Sequence, residues 1–425
     1  MALSVLLLLA LYGWEAHGRR DVAATPLNQA DQAAYLSYAR RMHETHYAVA
    51  GDRNRMPLFP FLLSLVYRPG MTEGEFLDRA QQFNINMSIL LLALLFLIFR
   101  RFFASFYALA LLATTAFGVF VYRAGIVQAE PLFYFLGFCA FLFLLEMLTA
   151  PRWWLAVLAG AFTALAYLTK ASILAMLPIW AVVFVAQTIW EWGRRFSAAD
   201  ARRRLGHFLM VMGAFAAAVC PYERTSKELY GQYFFNVNSA YYMWCDSWPE
   251  ALAFTEAQRS ANLAPDQVPS PAKYWREHSL GQIAARMLHG MKTLLTRSAK
   301  LPGYYKFVAL FVGAIGLLAV RRSSVFARLS KEHAFAAGFC FLFLLSYVLL
   351  YAWYDAVVTD SRFILSLFLP FVFAGSKVLI ALDDDRSLTI LGRRFGFVQL
   401  FALALSALAL IDIGYNALRV SRVMT

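Results

Sequence analysis

Residues 131–149 read PLFYFLGFCAFLFLLEMLT, a run with one charged side chain, Glu146. As a helix it rises about 28 Å at 1.5 Å per residue. That nearly matches the ~30 Å hydrocarbon core of a bilayer. It is apolar on every face and shows no alternation, so neither an amphipathic surface helix nor a half-buried strand fits it. Moving outward, FASFYALALLATTAFGVF at 103–120 and the run at 154–170 have the same character. Continuing in both directions gives eleven candidates, near 2–14, 84–100, 103–120, 131–149, 154–170, 172–190, 207–222, 306–320, 334–353, 362–381 and 395–414. The expected fold is an all-α polytopic membrane protein, a single transmembrane domain over 1–425 with about eleven spanning helices. The first candidate is short and has no basic stretch before it or clear cleavage site after it, so it reads as a span rather than a signal peptide.

Composition agrees. Of 425 residues, 60% are hydrophobic and 15% charged, against about 45–50% and 25% in soluble domains. Too few charges are present to cover a water-facing globule of this size. A soluble enzyme, a disordered chain and a disulfide scaffold are therefore disfavoured. The net charge is +13. A nucleic-acid partner is not implied, because the Arg and Lys sit mostly between apolar runs, where they set topology. The four cysteines show no metal spacing; Cys220 and Cys245 read as free thiols or as a disulfide outside the cytosol.

Alternate short loops are basic, with Arg100, Arg101, Arg152, Arg194, Arg195, Arg202–Arg204, Arg321, Arg322, Arg328, Lys331, Lys377, Arg386, Arg393 and Arg394 on one side. The opposite short loops carry only Arg123, Lys170 and Arg362. The first set is expected in the cytoplasm, with the amino terminus inside and the carboxyl terminus outside. Two long segments then face outward. Residues 15–83 form a first outer loop with an amphipathic juxtamembrane helix carrying Tyr35, Tyr38, Ala39 and Met42 on one face. Residues 223–305, rich in Trp and Tyr, form a small extracytoplasmic cap with a surface helix through Leu280, Ile283, Ala284, Met287 and Leu288.

Ionisable groups near membrane depth are costly and are usually functional or paired. Here they cluster on the outer side. Asp31 falls in the first turn of the juxtamembrane helix, where the helix dipole favours a carboxylate. Asp52-Arg53-Asn54-Arg55 crowds charge before the next apolar helix; two arginines suit either phosphate binding or interfacial anchoring. Arg123 and Glu130 flank a short loop, with Pro131 in the first turn of the following helix. Lys170 joins two spans and reads as a compact phosphate binder or a snorkelling anchor. Tyr354, Asp355, Asp360 and Arg362 lie where another span opens. His43 and His46, three apart on one expected helix face, read by default as solvated histidines.

Together these elements resemble the GT-C glycosyltransferases that use polyprenyl-phosphate sugars, a group including protein O-mannosyltransferases and the aminoarabinose transferase of lipid A. The resemblance covers most of the chain. It rests on Asp31 followed by Tyr35 and Ala39, on Gly51-Asp52 and Arg55-Met56-Pro57-Leu58, on Glu130, on Ala166-Tyr-Leu-Thr-Lys170, and on Ser361-Arg362-Phe363 leading to Pro370. Asp31-Gln32 stands where the family commonly has Asp-Glu, and Arg55-Met56-Pro57 where the aminoarabinose enzymes have Lys-Pro-Pro.

The resemblance implies inverting transfer of a sugar from a lipid-linked donor to a hydroxyl of a glycan, lipid or protein. Asp31 and Glu130 are then the catalytic candidates, with Asp31 as base. Arg55, Lys170 and Arg362 would bind the donor phosphate. Asp52, Arg53, Tyr35, Arg123 and Tyr354 are further substrate-binding candidates. No resident metal or other cofactor is expected. A bacterial inner membrane is the expected location, with the site facing the periplasm. The alternatives are a flippase for lipid-linked glycans, a glycan ligase or polymerase, and a noncatalytic membrane scaffold.

Overall fold

The computed structural model describes residues 1–22, 31–48, 51–193, 197–260, 263–264, 266–298, 304–358, 360, 362–383, 387–390 and 393–424. The first helix is α1 (Ala2–Val22). The first long connection carries α2 (Gln32–Glu44) and α3 (Leu58–Ser64). Then come α4 (Glu73–Phe102), α5 (Ser105–Ala124), α6 (Glu130–Thr149), α7 (Trp153–Thr169), α8 (Ala171–Trp192) and α9 (Ala198–Tyr230). The second long connection carries α10 (Trp248–Ser260), α11 (Pro271–Glu277) and α12 (Leu280–Ser298). The chain continues through α13 (Tyr304–Arg321), a short α14 (Ser323–Glu332), α15 (Ala334–Tyr354) and α16 (Arg362–Leu382). An antiparallel hairpin, β1 (Ser387–Ile390) and β2 (Arg393–Gly396), pairs Ser387 with Gly396 and precedes α17 (Phe397–Met424).

This is an all-α membrane protein apart from that hairpin. Among the described residues nine helices are long and apolar enough to cross a bilayer: α4, α5, α6, α8, α9, α13, α15, α16 and residues 397–418 of α17. A helix satisfies its backbone hydrogen bonds internally, which is why apolar runs of this length adopt it in lipid. α6 is buried along most of its length, so the run 131–149 lies inside the bundle rather than on its lipid-facing rim.

Several boundaries differ from the hydropathy reading. α1 runs to Val22 instead of ending near residue 14, because the charges that break the apolar run find partners. Arg19 Nε bonds Glu15 Oε1 at 3.0 Å, and the Arg19 guanidinium also reaches Asn416 of α17. Arg20 pairs with Asp78 of α4 at 2.8 Å. α4 begins at Glu73, eleven residues before its apolar core, because Thr72 and Glu75 form a capping box there. The first connection is therefore 23–72 rather than 15–83. α9 continues to Tyr230, and the second connection is 231–303 rather than 223–305. Cys220 and Cys245 are both free thiols; burial pushes the Cys245 thiol up to about 12, which keeps it protonated and unreactive.

α2 is amphipathic as its spacing predicts, but Tyr35, Leu36, Tyr38, Ala39 and Met42 are buried in the protein rather than laid on lipid. Tyr35 packs edge-on against Phe59 of α3 at 5.2 Å between ring centroids. His46 lies beyond the end of α2, in a turn with positive φ, so it shares no helix face with His43. The ring of His43 contacts the Ser64 carbonyl at 3.2 Å.

The second connection has its own small core of Phe235, Val237, Tyr242, Cys245, Ala251 and Phe254, which also packs Val357 from the loop after α15. Arg286 of α12 fastens it: its guanidinium donates to the carbonyls of Trp353 and Met243 at 3.1 and 3.2 Å and lies over the Trp353 ring at 4.4 Å. This attachment fixes α12 and the small core to the C-terminal end of α15 and the loop after it.

Candidate active site

Five segments converge at that end: the start of α2, the loop before α3, the start of α6, the α7–α8 junction and the start of α16. Between them lies a cavity of about 560 Å³, lined by Asp31, Tyr35, Asn54, Arg55, Glu130, Lys170, Tyr354 and Arg362 among others. A site of that volume falls in the ordinary range for small-molecule ligands, about 300–1,000 Å³.

Asp31 sits at the N-cap of α2 with φ of 69°, in the left-handed region. An aspartate tolerates that region better than most residues. Its side chain does not cap the helix, contrary to the helix-dipole reading of its position. It turns into the cavity and receives Arg55 Nη2 at 2.6 Å and Arg362 Nη1 at 3.3 Å. Glu130 opens α6, with Pro131 behind it in the first turn, as expected. Its Oε1 lies 2.7 Å from Lys170 Nζ and 3.5 Å from Arg362 Nη1. Its Oε2 is buried with no hydrogen-bond partner among the described residues. Such an orphan oxygen carries a desolvation penalty that a ligand hydroxyl would relieve.

Arg362 is the hub. Besides Asp31 and Glu130 it meets Asp360, 3.2 Å from Nε, and its backbone N–H donates to the same carboxylate at 2.9 Å. Arg123 holds the other side of Asp360 at 2.9 Å. Arg123 therefore does not line the cavity; it braces Arg362 through Asp360. Asp52 is likewise structural, accepting from the backbone N–H groups of Asn54 and Arg55 at 2.9 and 2.8 Å and shaping the loop that presents Arg55. Arg53 points elsewhere, to Gln258 of α10 at 2.6 Å. Ser361, part of the motif before Phe363, lies outside the described residues.

Electrostatics follow from these pairings. Burial alone would push the Asp31 carboxyl up, but Arg55 and Arg362 outweigh it and hold the group below the usual carboxylate range. Burial pushes the Tyr35 phenol well up, with Glu130 adding to it, so Tyr35 stays neutral and can donate a hydrogen bond. The Asp31 side chain is 35% exposed and that of Glu130 2%. Asp31 is thus the more accessible of the two carboxylates.

No protein-family model matches this chain, and no curated protein or solved structure does either.

Sequence reasoning picked out Asp31, Tyr35, Arg55, Glu130, Lys170, Tyr354 and Arg362, and the fold gathers all seven around one cavity. It missed Asn54, Asn236, Asn238 and Ser239, which line the same space. The only signal was a short uncharged polar run, FNVNSA at 235–240, inside the second connection. It also undervalued Gln32. That side chain is buried and accepts from the Val127 backbone N–H at 2.9 Å, tying the start of α2 to the loop before α6. Among the described residues no group of three or more His, Cys, Asp or Glu side chains is arranged to hold a metal ion.

Proposed function

We propose that this chain is an integral-membrane glycosyltransferase of GT-C type, which moves a sugar from a polyprenyl-phosphate donor to an acceptor hydroxyl with inversion. One observation carries the reading: two carboxylates and three cations from separate segments interlock around a single cavity whose remaining lining includes Leu350, Val357, Val358 and Phe363. Charged chemistry beside an apolar wall suits a phosphate head with a greasy tail. In this reading α1 and α7 join the nine more apolar or longer helices to make eleven spans, the second long connection is an extracytoplasmic cap, and the basic loops lie in the cytoplasm.

Three cations and two anions line the cavity. The surplus of one positive charge matches a sugar phosphodiester, which carries one negative charge, better than a pyrophosphate. On binding, the phosphate competes with Asp31 for Arg55 and Arg362. That exchange does two things. It clamps the leaving group with cations already in place, in a site poor in water, where such contacts stabilise developing charge strongly. It also strips Asp31 of the partners that suppress its basicity. Asp31 then takes the proton of the acceptor hydroxyl; the oxygen forms a bond to the anomeric carbon as the bond from that carbon to the phosphate oxygen breaks. The electron pair leaves with polyprenyl phosphate. Glu130 Oε2 accepts from a substrate hydroxyl and positions it.

A flippase would use charges near the bilayer midplane and repeated halves; here the charges gather at helix ends, which favours the transferase. The test supplies labelled polyprenyl-phosphate sugars and acceptor extracts to the purified protein. Wild type transfers label, whereas Asp31→Asn, which tolerates the same left-handed backbone, folds and loses about 10²–10⁴-fold in rate. Undiminished transfer by Asp31→Asn removes Asp31 from the mechanism, and no transfer by wild type from any such donor removes the reading.

A further inference from the structure

Beyond the charged cluster, the polar lining of the cavity is of another kind. Asn54, Asn236, Asn238, Ser239, Tyr354 and Trp248 contribute amides, hydroxyls and one indole, and no charge. These groups are locked to one another. Tyr354 Oη donates to Asn238 Oδ1 at 2.7 Å, Asn238 Nδ2 donates to Asn54 Oδ1, and Asn236 Nδ2 donates to the Asn54 carbonyl at 2.9 Å. Ser239 Oγ donates to the Asn236 carbonyl at 3.1 Å, and the Val237 N–H to the Arg53 carbonyl at 2.8 Å. The loop that carries Arg55 is thereby stitched to the 231–298 segment. Asn54 Nδ2 donates to no group among the described residues, and Trp248 keeps 41% of its surface uncovered.

From this wall we infer that the cavity selects an uncharged sugar ring, a neutral pyranose or furanose, in preference to an amino sugar or a uronic acid; the inference rests on the transferase reading. A rigid amide and hydroxyl array reads ring hydroxyls by direction. The open Trp248 face takes the apolar C–H face of a ring. An ammonium or carboxylate on the sugar would lose its water against groups that offer only dipoles, and an unpaired buried charge is far more costly than an unpaired hydroxyl. The bound ring comes either from the donor or from a sugar acceptor, and the experiment separates the two.

The full-length protein in lipid nanodiscs is titrated with bare polyprenyl phosphate, with polyprenyl phosphates bearing a neutral hexose, an amino sugar or a uronic acid, and with neutral methyl glycosides in the presence of bare polyprenyl phosphate. Binding is read by thermal shift and by displacement of a labelled carrier. The neutral-sugar donor is expected to bind about tenfold tighter than the bare carrier, the sum of one stacked ring and one or two hydrogen bonds. Trp248→Ala removes most of that margin while leaving the response to bare carrier intact, which also shows that the variant folds. The same margin appearing only with methyl glycosides supports an acceptor ring on this wall. A charged sugar binding tighter than the neutral one, or a margin that survives Trp248→Ala, overturns the inference alone. A protein indifferent to bare polyprenyl phosphate as well overturns the transferase reading beneath it.

Discussion

At Asp31 two demands conflict. A general base needs affinity for a proton, yet two guanidiniums depress that affinity in the free protein. The conflict resolves if the donor phosphate takes the arginines away, and this gives a pH signature. In the free protein the carboxylate titrates below its ordinary value of about 3.9, so its ion pairs persist at neutral pH and are lost only as pH falls below that value. In the donor complex the arginines are engaged elsewhere and the Asp31 pKa rises. The acid limb of kcat, which reports the complex, is therefore expected at higher pH than the acid limb of kcat/KM, which reports the free protein. Coincident limbs in a pH–rate series would refute the handover. Asp360 and Arg123 act one step further out. Asp360→Asn frees Arg362 from one of its three carboxylates, and the expected result is a raised KM for the donor with kcat changed less, checked by steady-state kinetics.

The helices that place these residues depend on close packing more than on charge. Ala156, Gly160 and Ala164 recur every fourth residue along α7, all fully buried or nearly so. A Cβ at Gly160 would run into the Val211 carbonyl oxygen and the Ala214 side chain of α9. Small residues at such spacing let two helices approach in lipid, where no hydrophobic drive separates helix–helix from helix–lipid contact. α7 ends at Thr169 and hands Lys170 to the cavity, so this contact fixes the lysine. Gly160→Val is expected to destabilise the protein by about 1–3 kcal/mol, the usual range for overpacking a tight contact, and to weaken donor binding with it; thermal unfolding in detergent measures the first. Gly290 plays the same part where α12 crosses α15, with the Ala352 carbonyl against it.

Across the whole molecule, ionic clusters divide by end. The cavity gathers Asp31, Arg55, Glu130, Lys170 and Arg362 at one end of the bundle, whereas Arg152, Lys331 and Lys377 lie toward the far ends of α6, α15 and α16. Within the bundle Lys306 pairs with Asp412, and Arg19 with Glu15 and Asn416, joining α1, α13 and α17 without entering the site. The proposed topology predicts opposite accessibility for the two ends. In cells carrying a cysteine-free background, a cysteine at Gln258 is expected to react with an impermeant maleimide from outside. One at Arg394 in β2 is expected to react only after the membrane is opened. Labelling of both from outside would refute the orientation.

Nine of the eleven expected spans were legible among the described residues because twenty apolar residues in lipid have one economical backbone, a helix, and that requirement acts locally. So were the individual charges at the helix mouths, since an ionisable group beside an apolar run is conspicuous. Which charges meet was not legible. Asp31 and Arg362 are 331 positions apart, and nothing in either neighbourhood says that one side chain reaches the other. Asp52, Arg53 and Arg123 have the same local character as Arg55, yet only Arg55 enters the cavity, because loop geometry and the 231–298 segment decide where each points. The uncharged wall of Asn54, Asn236 and Asn238 was hidden for a related reason: amides in a polar loop carry no periodicity, and their common purpose arises only when tertiary packing sets them edge to edge.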